Sequence, residues 1–158
     1  MPVSDFMATA EVLWRDNNLT ECFLSRSRGS YVLLMNLIDE QTITVGRLPD
    51  IRFSGGFYAY VGSAMGGIKT RLGYHLSRRK SRHWHIDYLL EKATIVGIII
   101  SEARERTECA IARTLSSQFE AIPDFGSSDC RCRSHLFFDT DEGRLRAGVQ
   151  AAIASLLV

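Results

Sequence analysis

Two segments of the sequence are apolar at odd and even positions alike. Such segments restrict the chain to folds in which a sheet is covered on both faces. Residues 31–37 read YVLLMNL and residues 95–100 read IVGIII. Because successive side chains of a strand point to opposite faces, both faces of these two segments need apolar neighbours. We therefore predict two strands that are buried on both faces.

The rest of the chain adds further strands and several helices. Thr42–Val45 follows the polar turn 39–41 and predicts a hairpin with residues 31–37. A short strand is predicted at 134–138. Helical periodicity and capping residues predict helices that begin near Ile68, His83, Thr107 and Arg144. We expect an α/β (α+β) fold in which a small mixed, largely antiparallel central sheet is flanked by helices.

The length of 158 residues suits a single compact domain. Residues 1–28 are mostly polar, with a weakly helical stretch at 11–14, and predict an N-terminal extension. Residues 29–140 form the predicted main domain, and residues 141–158 a C-terminal helix packed on it. No run approaches the roughly 18 apolar residues that span a bilayer, so we expect a soluble, cytoplasmic protein without a membrane partner.

Charge is distributed unevenly along the chain, although its net value is only +1. Between Asp50 and Asp87 there is no acidic residue, whereas the interval holds seven Lys and Arg residues and three His residues. A local positive field of this kind attracts polyanions. The residues predicted to bind nucleic acid are Lys69, Arg78, Arg79, Lys80, Arg82, His83 and His85. The alternative for 78–82 is a solvated turn without a partner.

The segment 56–64, GFYAYVGSA, places the phenols of Tyr58 and Tyr60 on one face of a strand. Phosphodiester hydrolysis requires a nucleophile, a proton acceptor and positive charge over the phosphate oxygens. A carboxylate can also hold a divalent ion at the leaving oxygen. Five residues would supply this set: Tyr31, Tyr60, Arg71, His75 and Glu108. The structural alternatives are packing for the tyrosines and a helix-dipole contact for Glu108.

The order of these residues resembles the GIY-YIG nuclease superfamily. The matching residues are Gly29-Ser30-Tyr31, Tyr60-Val61-Gly62, Arg71 with His75 on the next helix, and Glu108 on a later helix. The blocks YVGSAMGG, HWHIDYLL, FGSSDCRC and SHLFF look like a prokaryotic branch of it that occurs alone or fused to a glycosylase of the endonuclease III type. Ser30 and Val61 stand where the two motifs have isoleucine.

The resemblance implies a metal-dependent DNA endonuclease that acts in DNA repair or processing. Tyr60 or Tyr31 would be the general base or position the water, and Arg71 would stabilise the pentacovalent phosphate. His75 would assist proton transfer or contact phosphate, and Glu108 would bind one Mg²⁺ or Mn²⁺. DNA is the implied partner, with RNA also open, and a DNA-repair glycosylase is a second partner to expect. The alternative is a non-catalytic nucleic-acid-binding accessory protein of the same fold.

The cysteines allow a zinc interpretation. Cys130, Cys132 and His135 give the spacing C-x-C-x-x-H, and thiolates and imidazole are the usual zinc ligands. No fourth ligand is adjacent in sequence, although His83, His85 or Cys109 could come close in the fold. We therefore expect reduced free thiols rather than a structural zinc ion.

Overall fold

The computed structural model describes residues 10–12, 28–77 and 81–157. Its strands are β1 (Ala10–Val12), β2 (Gly29–Leu37), β3 (Gln41–Ile43), β4 (Ile51–Phe53), β5 (Gly56–Ala64), β6 (Thr94–Glu102), β7 (Glu120–Ala121) and β8 (Leu136–Asp139). Its helices are α1 (Ile68–Leu76), α2 (His85–Leu89), α3 (Glu108–Ser116) and α4 (Glu142–Ala154), followed by a 3₁₀ turn at Ser155–Leu157.

Six strands form one sheet in the order β1-β6-β2-β5-β8-β7, and β3 pairs with β4 in a separate two-stranded sheet. Strand β2 lies inside the large sheet, between β5 and β6. Its two apolar faces are both covered, as its sequence predicts. The α+β fold with an antiparallel central sheet flanked by helices is confirmed, and all pairings among the described strands are antiparallel.

The predicted hairpin between 31–37 and Thr42–Val45 is wrong. Residues 41–43 pair instead with 51–53. Both edges of β2 are already occupied, because β5 pairs with it along all nine of its residues and β6 along eight. A three-residue strand beside β2 would leave most of its main-chain groups without partners, so the longer pairing is favoured.

Helices cover both faces of the large sheet. Ile68 and Leu72 of α1 pack with α2 against the face that carries Tyr58 and Tyr60. Helices α3 and α4 pack against the opposite face, which carries Ala59 and other inward residues of β2, β5 and β6. The alternation predicted for β5 is confirmed, and each face has its own apolar core.

Three predicted elements have different boundaries in the structure, and capping by an aspartate side chain accounts for the two helix boundaries. The second helix begins at His85 rather than His83, because Asp87 Oδ2 accepts hydrogen bonds from the main-chain N–H groups of His83 and Trp84, each at 2.8 Å. The last helix begins at Glu142 because Asp141 accepts a hydrogen bond from the Arg144 N–H at 3.1 Å. The strand predicted at 134–138 runs from 136 to 139.

The N-terminal part contributes to the sheet. Residues 10–12 pair with Ile98–Ile100 at the outer edge of β6, so the helical interpretation of Glu11 and Val12 is wrong. An open strand edge offers unpaired main-chain groups, which an extended segment satisfies and a helix does not. Leu13 and Trp14 lie outside the described residues. None of the helices in the described ranges is long and apolar enough to cross a lipid bilayer.

Candidate functional site

The two tyrosine-containing motifs lie side by side in the sheet. Strands β2 and β5 place Tyr31 opposite Gly62 and Leu33 opposite Tyr60. The ring of Tyr31 folds over the main chain of Gly62, where an added Cβ would lie 2.3 Å from the ring carbon Cζ and 2.4 Å from the phenol oxygen. Glycine at position 62 is therefore required by the close approach of Tyr31.

Three aromatic rings gather where the last turn of α1 packs on the sheet. The ring centroid of Tyr31 lies 5.4 Å from that of His75 and 6.5 Å from that of Tyr60, and His75 and Tyr60 are 6.4 Å apart. Tyr31 Oη and His75 Nε2 form a hydrogen bond of 2.6 Å, in which the imidazole tautomer sets the donor. All three side chains are buried. The structure thus brings together three of the predicted catalytic residues, and a hydrogen bond joins the Tyr31 phenol to the His75 imidazole.

Burial controls the ionisation of both phenols. Burial raises the pKa of Tyr60 well above its usual range, and the nearby Tyr31 raises it further. Burial also raises the pKa of Tyr31, although the Arg71 guanidinium opposes part of this effect. Both side chains are therefore neutral hydroxyls at physiological pH, able to donate and to accept a hydrogen bond.

A cleft of about 380 Å³ opens where β5 leads into α1. Tyr60 from β5, Arg71 from α1 and Glu108 from α3 all line it. The full lining consists of residues 60–63, 65–66, 71, 83–85, 106, 108, 126, 128–129 and 135. Tyr31 and His75 lie behind this wall, where they are 1% and 3% exposed. A phenol, a guanidinium and a carboxylate from three elements thus meet at one surface.

Arg71 is held in a defined orientation. Its Nη1 donates a hydrogen bond to the carbonyl oxygen of Ser63 at 2.9 Å, and its guanidinium carbon lies 4.3 Å from the ring centre of Trp84. A carbonyl and an aromatic face orient a guanidinium without cancelling its charge. Arg71 therefore keeps its positive charge for an anion in the cleft.

Glu108 is the first residue of α3, and its side chain is 12% exposed. Oε1 lies 3.8 Å from Arg106 Nη1, and Oε2 is buried without a hydrogen-bond partner among the described residues. A carboxylate oxygen that is buried without a partner is costly unless a cation or donor joins it. The helix dipole also favours this position, but leaves Oε2 unsatisfied. The donor set of Glu108 therefore fits a hard divalent cation.

A family model described as domain of unknown function DUF123 matches residues 30–158. The chain belongs to the DUF123 family. The matched region contains every residue of the cleft as well as Tyr31 and His75. No significant match was found among curated proteins, and none among solved structures.

The residues predicted to bind nucleic acid fall into different environments in this DUF123 protein. Lys69 is exposed on α1, and His83 is exposed at the rim of the cleft. Arg82 forms an exposed ion pair with Glu91 through two contacts of 2.5 and 2.8 Å, so part of its charge is compensated. His85 is half-buried; its Nδ1 accepts the Gly126 N–H at 2.9 Å, and burial lowers its pKa. Arg78, Arg79 and Lys80 lie outside the described residues.

Sequence reasoning missed three residues at this site. Trp84 stacks on Arg71, and its position within a basic segment was the signal that could have identified it. Asp129 is exposed and lines the cleft as a second carboxylate beside Glu108, without a local pattern that would have indicated it. Asp87 is 1% exposed and holds the segment with His83 and Trp84 in place through its main-chain contacts.

The cysteines of this DUF123 protein lie beside the cleft. Cys109 Sγ is 3.9 Å from His135 Nε2, and Cys130 Sγ is 3.5 Å from the same nitrogen. With Cys132 they form one cluster in which the four potential ligand atoms lie within 4.8 Å of one another. Cys109 is thus the fourth partner that the spacing C-x-C-x-x-H lacked. The cluster could hold a metal ion, and its sulfur-rich donor set does not suit Mg²⁺ or Mn²⁺.

Proposed function

We propose that this DUF123 protein is a metal-dependent DNA endonuclease of the GIY-YIG type. The convergence of Tyr60, Arg71 and Glu108 on one cleft carries the proposal. These three groups come from a strand and from helices on opposite faces of the sheet. A packing role for each residue does not account for their meeting at one surface, whereas hydrolysis of a phosphodiester requires this combination.

Arg71 is proposed to bind the scissile phosphate. Its contacts with Ser63 and Trp84 orient the guanidinium before a substrate arrives. Two parallel N–H groups can then contact two phosphate oxygens and stabilise the charge that develops on them. Because the side chain is already fixed, little conformational entropy is lost on binding.

Tyr60 is proposed to position the attacking water. Its raised pKa keeps the hydroxyl protonated near neutral pH, so its oxygen accepts a hydrogen bond from water while its proton contacts a phosphate oxygen. Tyr31 and His75 form the pair behind it, joined by a hydrogen bond of 2.6 Å between the phenol oxygen and Nε2. This pair is proposed to orient the neighbouring groups and to accept a proton during the reaction.

Glu108 is proposed to bind one Mg²⁺ or Mn²⁺, with Asp129 as a second carboxylate on the same cleft. Mg²⁺ is commonly held by one or two carboxylates together with waters and substrate phosphates, which matches this donor set. When bound, the ion would supply Lewis-acid stabilisation of the leaving oxygen. The buried Oε2 of Glu108 is the atom available for it.

The second candidate is a non-catalytic nucleic-acid-binding accessory protein. One observation favours it: neither phenol ionises near neutral pH, so neither acts as a base without a further proton acceptor. Lys69, His83 and Arg71 would still attract phosphate in such a protein. Both candidates bind nucleic acid in a salt-dependent way, because phosphate contacts release counterions. Cleavage therefore separates them.

We expect the purified chain to cut labelled DNA in Mg²⁺ or Mn²⁺ and to leave it intact in EDTA. Single-stranded, double-stranded and branched DNA are compared on a denaturing gel, with RNA of the same sequences in parallel. Binding is followed by fluorescence anisotropy over a range of salt concentrations. Salt-sensitive binding without cutting of any substrate would support the accessory protein and refute the nuclease.

We expect Tyr60→Phe to lower the cleavage rate by about 10²–10⁴-fold, the usual contribution of a group that acts on the attacking water's proton. Single-turnover kinetics measure the change. Tyr58→Phe is the matched control, because Tyr58 lies on the same strand and face but donates to the Ser54 carbonyl at 2.6 Å. It should cost about 1 kcal/mol of stability and leave cleavage unchanged. Equal rates for wild type and Tyr60→Phe would remove Tyr60 from the reaction.

A further inference from the structure

We infer that Cys109, Cys130, Cys132 and His135 bind a structural Zn²⁺ ion that cross-links α3 to the loop before β8. The four side chains come from two parts of the chain: Cys109 lies in the first turn of α3, and the other three lie within six residues of each other. Main-chain folding brings the two parts together, so the cluster is a tertiary feature that local sequence does not contain.

The distances fit tetrahedral zinc coordination. With Zn–S and Zn–N bonds of about 2.3 and 2.1 Å at tetrahedral angles, a sulfur and a nitrogen ligand lie about 3.6 Å apart. The observed separations of His135 Nε2 from Cys130 Sγ and Cys109 Sγ are 3.5 and 3.9 Å. All four ligand atoms lie within 4.8 Å of one another. Small side-chain rotations would therefore place them around one ion.

The four donor atoms favour zinc and would fill all four of its coordination positions. Three thiolates and one imidazole form a Cys₃His set, which is typical of structural zinc sites with no open position for a substrate. Mg²⁺ and Mn²⁺ prefer oxygen ligands, so the proposed hydrolytic ion would not occupy this cluster. On binding, each thiol releases its proton.

The cross-link would support the cleft. Cys109 directly follows Glu108, so an ion bound to Cys109 restrains the first turn of α3. On the other side, Cys130 adjoins Asp129, and His135 itself lines the cleft. The ion would thus hold the helix and the loop that carry the two cleft carboxylates at a fixed separation. This role does not depend on whether the cleft hydrolyses DNA.

The test is the metal content of the purified full-length chain, produced in zinc-supplemented medium and desalted without chelator. We expect inductively coupled plasma mass spectrometry to find one Zn²⁺ ion per chain. Replacement by Co²⁺ should yield the intense visible absorption of tetrahedral cobalt and the charge-transfer band of thiolate ligands. Zinc well below one per chain, together with no thiolate band on Co²⁺ addition, would overturn the inference.

Two serine variants make the test specific. Cys132→Ser should lose most of the zinc and the thiolate band, whereas Cys22→Ser, the same chemical change at a cysteine outside the described residues, should retain both. Should Cys132→Ser fail to fold, titration of the wild-type thiols with a mercurial reagent still tests the site, because zinc release must follow thiol modification. If only Cys22→Ser loses zinc, the ion is not bound by the four proposed ligands. The same conclusion follows if zinc is released without modification of the thiols. Metal content is read separately from cleavage, so the two proposals fail independently.

Discussion

Glu108→Gln is expected to lower metal-dependent DNA cleavage by about 10²–10³-fold while leaving the fold intact. The amide has nearly the same shape as the carboxylate but lacks the charge that holds a divalent cation. Because Oε2 is buried without a partner among the residues that the structure describes, the neutral side chain should be tolerated or should even stabilise the protein. The rate is measured under single-turnover conditions over a range of Mg²⁺ concentrations, and circular dichroism checks the fold.

Glu105→Gln is the matched control for this prediction. Glu105 is exposed and does not line the cleft, yet it lies only three residues before Glu108. The same loss of charge there should leave the rate and its Mg²⁺ dependence unchanged. If Glu108→Gln cleaves as fast as wild type, Glu108 is not the metal ligand and serves the helix dipole instead. If both variants lose activity equally, a general electrostatic effect is responsible.

Gly62→Ala is expected to destabilise the protein by about 3 kcal/mol, at the upper end for overpacking a core. The added Cβ would lie 2.3 Å from Tyr31 Cζ, and both residues are buried at the centre of the sheet. Relief requires Tyr31 to move, which would also break its 2.6 Å hydrogen bond to His75. The urea midpoint of unfolding measures the loss of stability.

Gly73→Ala tests the same substitution where space is available. Gly73 is exposed in α1, and no atom of the described part of the chain lies within 4 Å of an added Cβ. Alanine is the better helix former, so this variant should gain roughly 0.5–1 kcal/mol. If Gly62→Ala is as stable as wild type, Tyr31 does not pack over the main chain of residue 62. The close packing of the Tyr31 motif on the Tyr60-Val61-Gly62 motif would then be refuted.

Local patterns were sufficient to predict the parts of the fold that depend on neighbouring residues. The apolar runs 31–37 and 95–100 predict the strands β2 and β6, since a strand buried on both faces must be apolar at every position. The alternation in β5 correctly predicts that Tyr58 and Tyr60 share a face. Thr107 is the N-cap residue of α3, as predicted, but its side chain makes no capping hydrogen bond and contacts Ser30 Oγ at 2.7 Å instead.

Strand pairing and ion pairing could not be predicted in the same way. One partner of β2 is β5, which begins nineteen residues after β2 ends, and the other is β6. The nearer segment 42–45 is wrongly predicted as the partner because the sequence between it and β2 resembles a hairpin turn. Arg82 is part of a basic interval in sequence but meets Glu91 in space. A charge pattern along the chain does not reveal which opposite charge folding brings within contact distance.

The candidate site combines both kinds of information. Residue types, spacing and the resemblance to the GIY-YIG superfamily select Tyr60, Arg71 and Glu108 as candidate reactive groups, because their chemistry is a property of the side chains themselves. Their convergence on one cleft, the addition of Trp84 and Asp129, and the approach of Cys109 to Cys130, Cys132 and His135 required the tertiary structure. Those distances depend on how helices from opposite faces of the sheet meet at its end, and local sequence periodicity carries no information about that packing.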